Sequence, residues 1–127
     1  MSYLLDTHTF IWFLSGDKAL STKSRKAIET NEDITFISIA SLWEIAIKIS
    51  LGKLELNSPF SEIGNQILKN DFQVLPITFE DTLLLSTLPF HHRDPFDRII
   101  ITQSFTNKLT IISKDREFKI YGVEVIW

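Results

Sequence analysis

Apolar residues along this chain fall into two kinds of run. The first kind is short and rich in β-branched and aromatic side chains: "SYLLD", which closes on an acid, "ITFIS" (34–38), "FQVLPI", "KLTIIS" and "VEVIW". Each predicts a strand. Between them lie longer segments with helix starts and stops. "THTFIWFLSG" predicts a short helix ended by Gly16, and Ser21 caps "TKSRKAIET". Ser38 caps "IASLWEIAIKIS", which Gly52 ends. "NSPFSEIGNQILKN" offers a cap followed by proline at the first helical position. "TFEDTLLLSTL" opens on a Thr-x-x-Asp pattern that resembles a capping box, and Asp94 before Pro95 starts the helix "PFDRIIITQSFTN". Strands alternating with helices predict an α/β fold, a three-layer α/β/α sandwich with a mostly parallel central sheet.

Composition narrows this picture. The 127 residues suit one domain, residues 1–127, and 44% hydrophobic content with ten Phe and three Trp can fill its core. No cysteine is present, which excludes disulfides, thiol catalysis and thiolate zinc sites, and fits a reducing, cytoplasmic setting. No uncharged apolar run approaches the roughly 18 residues of a membrane span. The N-terminal "YLLDTHTFIWFL" carries Asp6 and His8 without a basic leader, so a secretory signal is not expected. The formal net charge of −3 disfavours polyanions, so a nucleic-acid partner would need local basic residues or a bound cation.

In parallel sheets, ligands collect at the carboxyl ends of the strands. Asp6 ends the first strand and Asp115 follows the strand "LTIIS" by two residues. Either could simply cap the turn after it. Glu44 lies in a helix that is apolar on most sides, where it is either a surface partner of Lys48 at i+4 or a buried acid with a role. The stretch "HHRDPFDR" (91–98) crowds two histidines, two aspartates and two arginines into one turn. Asp94 as N-cap explains itself, and Asp97 adds a second acid at the positive end of the helix dipole. If that helix docks through Phe96, Ile99 and Ile100, Asp97 lies near the sheet. Asp6, Glu44, Asp97 and Asp115 would then converge, repel one another, and be relieved by a hard divalent cation. His8, His91 and His92 read as loop or supporting groups in preference to ligands. Arg93, Arg98, Lys114 and Arg116 could hold a phosphate backbone or serve as ordinary surface charge.

These residues resemble PIN-domain ribonucleases, specifically the VapC-type toxins of bacterial toxin–antitoxin pairs. The matching pieces are "LLDTHTFIWFL", "SIASLWEIAIKISLGKL", "HHRDPFDRIIITQS" and "TIISKDREFKIYGVEVIW", in the family's order over nearly the whole chain. The resemblance implies that Asp6, Glu44, Asp97 and Asp115 are the catalytic acids. It implies that Asp6 and Asp97 chiefly hold Mg²⁺ or Mn²⁺, with Glu44 and Asp115 positioning the attacking water or completing a second metal site. Asp94 belongs to the subgroup's "DPFD" pattern, and Ser113 keeps the hydroxyl where the family often has Thr. Asp94, Arg93, Arg98, Ser113 and Arg116 are the expected RNA-binding or supporting residues. Also implied are single-stranded or looped RNA as substrate, a homodimer, and a small antitoxin docking on helices near 7–15, 21–30 and 59–70. The rivals are weaker. "LLDTHTF" is faintly similar to the strand-end aspartate of haloacid-dehalogenase-like phosphatases, but His8 stands where their second acid would be. A receiver-like phosphoacceptor domain has no better support, and a non-catalytic RNA-binding PIN domain is the remaining alternative.

Overall fold

Five short strands form one sheet: β1 (Tyr3–Leu5), β2 (Thr35–Ser38), β3 (Phe72–Leu75), β4 (Thr110–Ile112) and β5 (Val125–Ile126). Their spatial order is β3-β2-β1-β4-β5 and every neighbouring pair is parallel. The sheet is therefore wholly parallel. The computed structural model describes residues 1–127. Six helices cover the sheet: α1 (Thr7–Ser15), α2 (Thr22–Glu29), α3 (Ile39–Ser50), α4 (Ile63–Lys69), α5 (Phe79–Thr87) and α6 (Pro95–Asn107). Two 3₁₀ turns, Phe60–Glu62 and Arg116–Tyr121, complete the architecture. No helix is long and apolar enough to cross a membrane.

Successive strand residues point to opposite faces, so adjacent apolar pairs feed two cores. Leu5, Ile37 and Ile112 pack with Phe10, Ile28, Ile45, Ile63 and Ile67 of α1–α4. Leu4 and Ile111 face the other way, onto Ile100 and Ile101 of α6 and onto Phe118. That division makes the three layers. A strand buried on both sides reads as a continuous apolar run, as "YLL" and "TII" do.

Most caps form as the sequence predicts. Ser21, Ser38 and Asp94 accept backbone N–H groups at their helix starts, and Thr78 with Asp81 closes a full capping box on α5. Two expectations change. Pro59 does not open α4: its extended ψ of 145° leads into the 3₁₀ turn, and α4 starts at Ile63 with no side-chain cap. Burial of Ile63 and Ile67 at i,i+4 sets its phase instead. On α6 the fully buried apolar pair is Ile100 and Ile101, while Phe96 is only half-buried, edge-on to Trp43 at 5.2 Å. Asp97 lies one turn before Ile101 and shares its stripe toward the sheet. Gln103 ties α6 down, accepting from the Ser38 hydroxyl at 2.6 Å and donating to Pro76 O at 3.2 Å.

Candidate active site

The strand order reverses direction at β1: the chain runs outward to β2 and β3, then crosses to β4 and β5 on the other side. A crevice at such a switch point opens above the carboxyl ends of β1 and β4. Asp6 stands directly after β1, and Ser113 directly after β4.

Asp6 is buried, at 6% exposure. Its Oδ1 accepts from Thr9 N at 2.9 Å, capping α1, and its Oδ2 accepts from the Ser113 hydroxyl at 2.6 Å. The capping reading and the site reading are both true of this residue, one for each oxygen. Burial pushes its pKa up, against the opposing hydrogen bonds from Ser113 and Thr9 and the nearby His8. The Thr9 hydroxyl in turn donates to Ile112 O at 3.0 Å, fixing α1 against β4.

Glu44 is 5% exposed, yet its Oε2 lies 3.0 Å from Lys48 Nζ. The i,i+4 pair exists, but its acid end is inside. Oε1 accepts from the Thr7 hydroxyl at 2.7 Å, and that hydroxyl lies 2.9 Å from the hydroxyl of Ser41. Asp94 caps α6, accepting from Phe96 N at 2.9 Å and Asp97 N at 3.2 Å. Asp97 itself caps nothing. Its pKa is pushed up to about 7, first by burial and then by Asp94, Asp6 and Glu44, with His92 opposing. These four carboxylates therefore share one electrostatic neighbourhood.

Asp115 joins through two links. Its N–H donates to Ser113 Oγ at 3.0 Å, so Ser113 connects it to Asp6. Its Oδ1 accepts from Glu117 N at 2.9 Å, capping the 3₁₀ turn, while Oδ2 points at His92. His92 Nε2 lies 3.2 Å from Asp97 Oδ2, 3.3 Å from Asp115 Oδ2 and 3.4 Å from Glu117 Oε2. His92, Asp115 and Glu117 bring one ligand-capable atom each within 4.8 Å of one another. However, His92 Nδ1 accepts the Asp94 N–H at 3.1 Å, which leaves Nε2 as the proton-bearing nitrogen. In this geometry Nε2 donates to carboxylates and has no lone pair for a metal.

The predicted residues thus sort into three groups. Asp6, Glu44, Asp94, Asp97, Ser113 and Asp115 are brought together at the crevice. Arg93, Lys114 and Arg116 are exposed nearby in sequence. Arg98 is a correction: it is buried, and its guanidinium bonds to Pro89 O, Leu88 O and the Tyr121 hydroxyl, 4.2 Å from the centre of the Phe90 ring. Three of its five N–H donors go to that loop and its neighbour Tyr121, which makes it a structural group in this arrangement. Sequence reasoning missed the bridging role of His92 and missed Glu117, Thr7 and Ser41. Glu117 had a readable signal only in its backbone, because an Asp accepts the N–H two residues on and so draws Glu117 into the same turn.

The donor set suits a hard cation. It is all oxygen on the ligand side, it is partly desolvated, and burial, followed by repulsion from Asp94, Asp6 and Glu44, raises Asp97 to about 7, so an added positive charge would favour its ionised form.

The family model described as PIN domain matches residues 3–124. Among solved structures, the fold is similar to VapBC2 from Rickettsia felis bound to a promoter DNA fragment (TM-score 0.71, 13% identity, 99% of this chain and 98% of that one). It is similar to FitAcB from Neisseria gonorrhoeae (0.72, 16%, 98% and 96%) and to a toxin–antitoxin complex from Klebsiella pneumoniae (0.67, 16%, 98% and 96%). No curated protein matches the sequence.

Proposed function

The chain belongs to the PIN domain family, and from that premise we propose that it is a metal-dependent endoribonuclease, the toxin of a toxin–antitoxin pair. One observation carries the reading: Asp6, Glu44, Asp97 and Asp115 come from four separate elements and gather beyond the carboxyl ends of β1 and β4, Ser113 joining Asp6 to Asp115, an acidic set that a cation would neutralise. Asp6 and Asp97 would hold Mg²⁺ or Mn²⁺, with Glu44 and Asp115 completing the acidic set. The ion would supply Lewis acidity at a phosphodiester and lower the pKa of bound water.

The chain's own residues do the rest. Ser113 orients Asp6 by donating to Oδ2, leaving the α1 cap on Oδ1. Thr7 and Lys48 hold the Glu44 carboxylate from opposite sides. The exposed Arg93, Lys114 and Arg116 offer cationic donors for an RNA backbone that the net charge of −3 would otherwise repel. Unpaired RNA suits such a site, because a single strand can bring one phosphate into a crevice that a duplex cannot enter.

Partners follow the same reading. A groove of about 340 Å³ between α1 and the segment leading to α4, lined by Ile11, Trp12, Leu14, Leu54, Leu56 and Ile63, supports the docking of a small antitoxin. Phe79, Leu83 and Phe90 are exposed on and beyond α5 and support a homodimer, which sedimentation at micromolar concentration would test. A cytoplasmic location is part of the proposal.

The deciding experiment incubates purified chain with structured and unstructured RNA in Mg²⁺, Mn²⁺ or chelator, beside Asp97→Asn. Metal-dependent cleavage that Asp97→Asn abolishes supports the reading. Equal cleavage by both proteins, or RNA binding without cleavage, defeats it, the second result favouring a non-catalytic binding domain.

A further inference from the structure

We propose that His92 is a positioning residue of the acidic site: its Nε2–H ties the carboxylate on α6 to those that follow β4, and Tyr121 with Arg98 sets the ring in place. The proposal rests on the nuclease reading above for its purpose, though not for its geometry. Asp97 belongs to the start of α6, whereas Asp115 and Glu117 belong to the 3₁₀ turn after β4. The His92 ring is the group that touches all three carboxylates, at 3.2, 3.3 and 3.4 Å. A single N–H facing three acceptors draws them to one point. Without it, mutual repulsion would spread them.

The ring is itself held from every side. Nδ1 is engaged by the Asp94 N–H, one face stacks on Phe118 at 6.3 Å between centroids, and the backbone N–H donates to the Tyr121 oxygen at 2.7 Å. That same phenol oxygen accepts from His91 N at 3.0 Å and from Arg98 at 3.3 Å, and Arg98 also fastens the carbonyls of Leu88 and Pro89. A buried cation with no carboxylate partner is thus used to fix the loop that carries His92. This arrangement explains the opening half of "HHRDPFDR", which neither capping nor cation binding accounts for.

Groups that orient metal-binding side chains from outside typically affect metal affinity or activity by about 10–100-fold. His92→Ala is therefore expected to weaken Mn²⁺ binding, measured by calorimetry on the metal-free full chain, by about tenfold or more. His92→Gln, whose amide nitrogen reaches the position of Nε2, is expected to return affinity to within about threefold of wild type. Saturating Mg²⁺ should restore RNA cleavage by His92→Ala, so the loss lies in the cation requirement and not in kcat. A long-range ¹H–¹⁵N spectrum of the histidine rings should show His92 protonated at Nε2 before and after Mg²⁺ is added. Unchanged Mn²⁺ affinity in His92→Ala, failure of the Gln variant to rescue, or loss of the Nε2 proton on adding Mg²⁺ each overturns the proposal. The last outcome would make His92 a ligand. Should His92→Ala not fold, Tyr121→Phe, which removes the backbone anchor and keeps the ring, carries the same titration. If wild type binds Mn²⁺ but cleaves no RNA, the nuclease reading falls while the titration still decides the role of His92.

Discussion

The two halves of the acidic crevice are built differently. On the inner side, Asp6 and Glu44 are almost fully buried, at 6% and 5%, and each carboxylate oxygen has its own partner. On the outer side, Asp97 and Asp115 are 22% and 37% exposed, and together with Glu117 they depend on one imidazole. The inner acids are fixed by the sheet and by helix caps, which the fold needs in any case. The outer acids are held by a loop, itself held by a tyrosine and an arginine. On the proposed reading the inner half would serve stability and chemistry at once, while in the outer half Asp97, which caps nothing, can be altered with little damage to the fold.

The sharpest way to test this contrast is to remove one acid from each half. Asp97→Asn and Asp6→Ala should both reduce RNA cleavage by roughly 10²–10³-fold or more, as loss of a key electrostatic group does. Their melting curves should part. Asp6→Ala loses the α1 cap and is expected to cost about 0.5–2 kcal/mol, whereas Asp97→Asn should melt at or above the wild-type temperature at neutral pH. A destabilised Asp97→Asn that still cuts RNA would remove that residue from the mechanism.

Next in size is the response to cation. At a Mg²⁺ concentration about 100 times its Kd, wild type should gain about 2.7 kcal/mol. Asp97→Asn should gain much less, and equal shifts in both would place the ion elsewhere. A smaller effect separates Asp94 from its neighbour. Asp94 accepts two backbone N–H groups at the start of α6, so Asp94→Ala should lose about 1 kcal/mol by denaturant titration. Asp97 accepts none and should show no such loss.

A further effect is in pH. Asp97 titrates near 7 in the native protein and near 3.8 unfolded, so between those values the native state binds more protons. Its contribution to metal-free stability is fully present below about pH 3.8, falls as pH rises, and is gone above about 7. Asp97→Asn should flatten that part of the profile, and an unaltered slope would contradict the assignment.

Much of this was legible in the sequence, and the reasons are local. Strand-closing acids, Ser and Asp caps and the Thr-x-x-Asp box all act within one turn of chain, so Asp6, Asp94, Ser38 and Thr78 could be placed from spacing. The alternation of "YLL" and "TII" between two cores likewise follows from strand geometry. What escaped depends on contacts across long separations. Arg98 looked available for phosphate because nothing in "DPFDR" announces that Tyr121 and the Leu88 carbonyl will take its donors. His92 could be read only as a loop or supporting group, because the three partners that define its role lie on α6 and beyond β4. The start of α4 was misjudged because burial of Ile63 and Ile67 outweighed the local proline signal.

The bond from Ser113 to Asp6 spans 107 positions, and β1 lies at the centre of the sheet with β4 beside it. During synthesis Asp6 is made 107 positions before Ser113, and Asp115 follows two residues later. A nascent chain shorter than about 110 residues lacks β4, half of the central hydrogen bonding and the Tyr121 anchor. The acidic set can therefore assemble only once β4 and the turn after it have been made. Truncation before Thr110 should accordingly yield an inactive, unfolded product, and a folded, cleaving fragment of that length would refute this timing.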